Sequence, residues 1–232
     1  MSNYRHYLEE LVELTNEQKK QFDQYYRLLV DTNATMNLTT ILKEEDVYIK
    51  HFYDSILALV KNMPHENLKV IDIGSGAGFP GIVLKIVFPN LQMTLLEATN
   101  KKCAFLNRVI DTLGLKDVYV VCDRAEKFVT KAREKYDIVI ARAVANLNIL
   151  VELALPFVKI GGFFIAMKGQ NAIIELDEAS HAIELLGGTP YSKNIYELPQ
   201  NKGIRYIVQI KKIKKTPILY PRVYSKIKNK PL

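Results

Sequence analysis

Val70-Ile71-Asp72-Ile73-Gly74-Ser75-Gly76-Ala77-Gly78-Phe79-Pro80-Gly81 is the stretch that decides the fold. A β-branched run enters, glycines permit a tight turn and close backbone approach to a ligand, and Pro80 suits the first turn of a following helix. Glu97 ends the next predicted strand, about twenty residues on, where a carboxylate accepts both ribose hydroxyls of a nucleoside. A phosphate-binding P-loop is excluded, because Ile82-Val83 follow the glycines where Lys-Ser/Thr is required. A nicotinamide dehydrogenase shares the loop and the ribose acid, but Asp72 would repel a pyrophosphate. The same carboxylate suits the ammonium group of S-adenosylmethionine, a zwitterion without phosphate. That reading is favoured, while a dehydrogenase and a glycine turn with no ligand stay open.

Outward from the loop, short β-branched runs alternate with helical ones. Strands are predicted at Leu68–Ile73, Leu91–Glu97, Val118–Cys122, Tyr136–Ile140 and Gly162–Met167, with helices at Gly81–Phe88, Asn100–Leu113, near Glu126, Leu147–Val158 and Ala172–Leu186. Such alternation specifies a parallel sheet covered on both faces. Lys193–Leu198 and Ile204–Lys211, joined by a turn at Gln200–Gly203, read as a closing hairpin. The fold class is therefore α/β, the Rossmann-like seven-stranded sheet of class I S-adenosylmethionine-dependent methyltransferases. Upstream, residues 1–65 read as a helical extension: Thr15 opens a capping box with Gln18, and Val47, Phe52, Ile56 and Leu59 mark the inward face of a helix from Glu44 to Lys61. The predicted division is 1–65, a methyltransferase domain over 66–212, and a basic tail over 213–232.

Composition bounds the rest. The chain has 232 residues, 48% hydrophobic and 25% charged, which excludes a disordered chain. No run approaches a membrane span, and Met1–His6 leads into an acidic amphipathic stretch without a signal core, so a cytoplasmic protein is expected. Cys103 and Cys122 fit neither a disulfide framework nor a zinc spacing; two reduced, mostly buried thiols and no metal are expected. The net charge of +7 is uneven: from Lys193 to Leu232 eleven Lys and Arg face the single acid Glu197. A segment of that kind seeks a polyanion, with RNA, DNA and anionic lipid as candidates.

The acceptor chemistry narrows next. Pyrimidine C5 methylation needs a nucleophilic cysteine at the fourth or fifth strand end, and neither cysteine lies there. Exocyclic amines call for Asn/Asp-Pro-Pro-aromatic after the fourth strand, where this chain has Ala141-Arg142-Ala143-Val144. Guanine N7 offers an in-plane lone pair and has no proton to lose, so positioning suffices and no general base is sought. Cys122-Asp123-Arg124-Ala125-Glu126 places polar groups where an adenine would lie, or simply caps a helix. Arg142 and Lys168 stand at strand ends suited to holding RNA. His51, Asp54 and Ser55 share one helix face and cannot easily form a hydrolase relay; Asp54 orienting His51, or a structural hydrogen bond, remains.

These residues together resemble the RsmG (GidB) family of bacterial 16S rRNA methyltransferases, which form 7-methylguanine in the 530 loop of the small ribosomal subunit. The matching pieces are Asn37-Leu-Thr39, His51-Phe-Tyr-Asp54-Ser55, the Asp72–Gly81 loop, Leu96-Glu97, Arg124-Ala125-Glu126, Arg142-Ala143, Lys168-Gly169 and Tyr220-Pro221-Arg222. The resemblance implies S-adenosylmethionine contacts at Gly74, Phe79, Glu97, Ala98, Thr99, Ala125, Glu126 and Arg142, beside Asp72 and Gly76 from the loop itself. It names no general base. Lys168, Arg205 and Arg222 are the cations expected to meet RNA, as naked 16S rRNA or in the small subunit. Oligomeric state is left open, and a non-catalytic RNA-binding or assembly protein on the same fold is the alternative.

Overall fold

The computed structural model describes residues 3–60 and 67–232. Lys61 and the predicted boundary at 65/66 lie outside them. After a short helix α1 (His6–Glu9), α2 (Asn16–Met36) begins on the expected capping box, with Gln18 N donating to Thr15 Oγ1 and Thr15 N to Gln18 Oε1 at 2.8 Å. It ends on Asn37 in the left-handed region, φ 48°. The continuous helix expected from Glu44 is interrupted: α3 (Glu44–Val47) and α4 (Asp54–Ile56) flank a π turn over Tyr48–Tyr53. The wider turn lets His51 and Asp54 both reach the same guanidinium while Val47, Phe52, Ile56 and Leu59 stay buried.

Strand β1 (Lys69–Ile73) leads through the glycine loop into α5 (Gly81–Val87), then β2 (Gln92–Glu97), α6 (Asn100–Leu113), β3 (Val118–Cys122) and α7 (Ala125–Ala132). The second half runs β4 (Tyr136–Arg142), α8 (Leu147–Ala154), β5 (Val158–Lys168), α9 (Ala172–Glu178), α10 (Ser180–Leu185), β6 (Gly188–Glu197), β7 (Ile204–Lys212) and α11 (Tyr224–Asn229). The sheet order is β3-β2-β1-β4-β5-β7-β6, with β1 to β5 parallel and β7 antiparallel to both neighbours. The order reverses between β1 and β4, so their carboxyl ends border the crevice where such sheets bind ligands. This is the α/β, seven-stranded arrangement expected. Two predicted helices are shorter than their periodicity suggested: α8 gives way at Leu155 to a single 3-10 turn, and Ala179 separates α9 from α10.

Each sheet face carries its own core. On one, Phe22, Tyr25, Phe52 and Ile56 pack with Ile82, Leu95 and Leu106, so the N-terminal helices share a core with α5 and α6. On the other, α7, α8 and α10 pack on β4, β5 and β7 through Val129, Leu150, Val151, Ile183 and Val208. Among the described residues no helix is long and apolar enough to cross a membrane.

One expectation is corrected. Cys103 and Cys122 are joined in a disulfide with Cα atoms 5.9 Å apart, not two free thiols. β3 lies beside β2 with Cys122 opposite Glu97, and α6 starts just after Glu97, which brings Cys103 against the strand end; spacing along the chain hid this. The basic tail packs on the body of the chain. Arg133 donates to the Tyr220 carbonyl, Arg222 is clasped by Glu152, Ile227 is fully buried, and Leu232 packs on the second core.

Candidate active site

The loop after β1 is shaped by glycine where nothing else fits. Gly74 has φ 72°, and a Cβ there would stand 2.8 Å from Val144 Cγ2; Gly78 has φ 96°, and its Cβ would meet Tyr25 Oη at 2.5 Å. Tyr25 supports the loop from below, donating to the Ala77 carbonyl at 2.5 Å and stacking on Phe79 at 5.4 Å. Asp72 is fully buried, and its Oδ2 accepts the Gly81 amide at 2.9 Å. It therefore latches the loop to the following helix instead of facing a cavity, while Oδ1 has no partner among the described residues. Burial raises its pKa to about 6, against the opposing pull of the Gly81 amide.

Glu97 closes the loop from the neighbouring strand. Its Oε2 accepts Gly76 N at 3.0 Å and its Oε1 accepts Thr99 N at 2.9 Å, leaving each oxygen a further lone pair. Beside it opens a cavity of about 140 Å³ lined by Gly74, Leu96, Ala98, Ala125, Glu126 and Tyr224, among others. Arg124 and Glu126 pair across its rim at 2.8 Å. Expected residues Gly74, Gly76, Glu97, Ala98, Thr99, Ala125 and Glu126 thus gather around one crevice.

Phe79 and Arg142 turn to its other side. Arg142, at the end of β4, donates Nη1 to Asp54 Oδ2 at 2.9 Å and to the Lys50 carbonyl at 3.0 Å, and lies over the Phe79 ring at 5.2 Å. Its Nη2 stands 3.2 Å from His51 Nδ1, and His51 Nε2 is 2.9 Å from Thr39 Oγ1. A guanidinium only donates, so Nδ1 accepts, the proton sits on Nε2, and the imidazole is neutral. Burial first, and the Arg142 charge second, push the His51 pKa down to about 3. Asp54, itself buried, also faces Arg205 Nε at 3.2 Å. Thr39 is fixed in turn, because its amide donates to Asn33 Oδ1 at 2.8 Å. The conspicuous sequence pieces around Thr39, His51, Asp54 and Arg142 are one network.

This network walls a second cavity of about 520 Å³, which Lys168, Glu175 and Asn146 line from the opposite side. Val144 lines both cavities and stands between them, on a loop whose Ala143 has φ 53°. Lys168 and Arg205 are placed here; Lys168 is nearly buried, paired with Glu175 Oε2 at 2.7 Å and donating to the Ala145 carbonyl. Arg222 is not. Its Nε and Nη2 grip Glu152, at 2.6 Å for the shorter contact, and Glu152 is fully buried. It anchors the tail on α8, which corrects its expected place among the RNA-facing cations. Glu152, Glu175 and Val144 escaped the sequence reading, since no spacing rule marks a partner contributed from another element.

The profile of rRNA small subunit methyltransferase G (GidB) matches residues 18–203. The chain belongs to this family. It is 50% identical over 215 residues to ribosomal RNA small subunit methyltransferase G of Staphylococcus epidermidis, covering 92% of this chain and 90% of that one. The protein of that name from Staphylococcus carnosus is 50% identical over 214 residues, covering 91% and 89%. Among solved structures, M. jannaschii TYW2 in complex with AdoMet aligns with TM-score 0.53 at 15% identity, over 69% of this chain and 74% of that one. A variant of MtNAS in complex with S-adenosylmethionine aligns with TM-score 0.56 at 17% identity, over 85% and 76%. These distant likenesses concern the fold.

The residues of this crevice fit S-adenosylmethionine. Glu97 has lone pairs to spare for two hydroxyls, the cavity beyond it is mostly apolar, and at Gly74 a Cβ would collide with Val144. Gly74, Gly76, Glu97, Ala98 and Ala125 are the residues that would hold the nucleoside.

Proposed function

We propose that this chain methylates N7 of a guanine in the 530 loop of 16S rRNA, using S-adenosylmethionine. The cofactor supplies an electrophilic methyl on a sulfonium. The chain's residues bind and orient, and the observation that carries the reading is the state of His51. It is neutral, bonded at both ring nitrogens, and too weak a base at pKa about 3 to collect a proton near neutrality. Asp54 is occupied by Arg142 and Arg205. With His51 neutral and Asp54 held by two guanidiniums, and with the Glu175 carboxylate held by Lys168, the pocket suits an acceptor that loses no proton, which N7 is and an exocyclic amine or ribose hydroxyl is not.

Lys168 and Glu175 give the pocket a donor and an acceptor side by side. Guanine presents the complement, an O6 acceptor next to the N1–H and N2–H donors, and the second oxygen of Glu175 carries no hydrogen bond among the described residues. RNA phosphates would meet Lys193, Lys214, Lys215, Lys226, Lys228 and Lys230, which are exposed and make no ion pair among the described residues. Lys202, Arg205, Lys212 and Arg222 of the same segment are instead held by acids of the body. The test is transfer of labelled methyl to small-subunit RNA from a strain lacking the enzyme, followed by nucleoside digestion. Label in 7-methylguanosine supports the reading; label in another nucleoside or none overturns it.

A further inference from the structure

The C-terminal segment reaches the cofactor crevice. Residues 213–232 lie outside the stretch matched by the family profile, yet Tyr224 lines the cavity of about 140 Å³ beside Ala98, Ala125 and Glu126. Three anchors hold the ring there. Two residues earlier, Arg222 is forked onto the fully buried Glu152 of α8. Three residues later Ile227 is itself fully buried, and α11 packs on α8, whose Leu153 lines the same cavity. Finally, the Arg124 guanidinium stands over the Tyr224 ring at 4.6 Å, and Glu126 holds that guanidinium through Nε at 2.8 Å. The tyrosine is thereby one wall of an apolar slot whose facing walls come from the ends of β2 and β3.

We infer that Tyr224 is an adenine-binding residue: its ring, fixed by the folded tail and by Arg124, packs on the base of the bound nucleoside. Several features favour a purine as the occupant. The slot adjoins Glu97, whose carboxylate is placed for a ribose, and it is bounded by Asp123–Glu126. Aromatic faces bind bases through stacking that water competes with poorly, and an adjacent guanidinium adds to that surface. The tail so acquires a second task beside its lysines, completing the cofactor site. The inference rests on S-adenosylmethionine being the cofactor.

Calorimetry with wild type, Tyr224→Ala and Tyr224→Phe tests it, using S-adenosylmethionine and 5′-methylthioadenosine, which lacks the amino-acid end. Tyr224→Ala weakens both ligands by the same factor, about tenfold, whereas Tyr224→Phe stays within about twofold because the ring is kept. Equal affinity of Tyr224→Ala and wild type, or tighter binding by the variant, overturns the assignment and leaves the cofactor reading intact. Failure of wild type to bind either ligand removes both. Where Tyr224→Ala does not fold, ring-labelled tyrosine in the wild-type protein answers directly. Nuclear Overhauser contacts from the Tyr224 ring to adenine H2 or H8 are expected, and their absence in a saturated complex overturns the proposal.

Discussion

Arg142 Nη1 donates to Asp54 Oδ2 at 2.9 Å, joining the end of β4 to the start of α4. The carboxylate is 4% exposed by side chain and also faces Arg205, so a single acid fixes two guanidiniums at the edge of the larger cavity. Asp54→Asn keeps the size and removes the charge. It is expected to lower kcat about tenfold or more, because a charge-assisted bond is worth about 1.5–3 kcal/mol and each 1.4 kcal/mol is tenfold in rate. Steady-state kinetics checks this; affinity for S-adenosylmethionine should change little, since Asp54 does not line the cofactor cavity.

His51 makes stability depend on pH. Its pKa is about 3 folded and 6.5 unfolded, so between those values only the unfolded chain binds the proton. The contribution is therefore present above pH 6.5 and lost as pH falls towards 3, by about 1.4 kcal/mol per unit. Asp72 acts oppositely: raised to about 6 from 3.8, it contributes stability below 3.8 that is lost as pH rises through 6. The two nearly cancel in wild type between about pH 4 and 6. Chemical denaturation of wild type and His51→Gln in parallel separates them, and the advantage of wild type is expected to shrink by about 1.4 kcal/mol per unit as pH falls across that window.

Arg222 and the free tail lysines should behave differently on mutation. Arg222→Ala strands the buried Glu152 carboxylate and is expected to cost about 3–5 kcal/mol in thermal or urea unfolding. Replacing Lys214, Lys215, Lys226 and Lys228 by alanine should leave folding nearly unchanged. It should instead flatten the dependence of log affinity for RNA on log salt by about three units, if all four meet single-stranded phosphate. An unchanged slope assigns those lysines to solvent.

Glu175→Gln tests the pairing at the acceptor cavity. The carboxylate holds Lys168 and the Leu147 amide, and on the proposed function its other oxygen would accept from guanine N1–H and N2–H. The amide is expected to raise KM for RNA about tenfold, in keeping with about 1–3 kcal/mol of discrimination in a good base contact. Inosine at the target position, which lacks the N2 amine, should lose less from the substitution than guanosine does.

Legibility of the molecule from its sequence divided along a physical line. The strand-loop-helix at Val70–Gly81 and the alternation after it are local patterns, and the sheet order β3-β2-β1-β4-β5-β7-β6 follows them. The capping box at Thr15 was equally local. Contacts between elements were not readable. Arg222 reads as an exposed tail cation until Glu152 of α8 is seen beneath it, and Cys103 and Cys122 read as separate thiols until β3 is laid beside β2. Asp72, placed by its position near the loop among cofactor contacts, points under the loop to Gly81 N. Tyr224 becomes a wall of the smaller cavity only when the tail folds back, a placement that no local pattern encodes.

The central claim, methyl transfer to guanine N7, is most directly tested by chemistry at the modified base. Small-subunit RNA from a strain lacking the enzyme is incubated with the protein and S-adenosylmethionine, reduced with borohydride and treated with aniline, which cleaves at 7-methylguanine. The account predicts a new, cofactor-dependent strand break in the 530 loop, abolished or much reduced in Arg142→Ala. Methyl incorporation with no aniline-dependent break would contradict it.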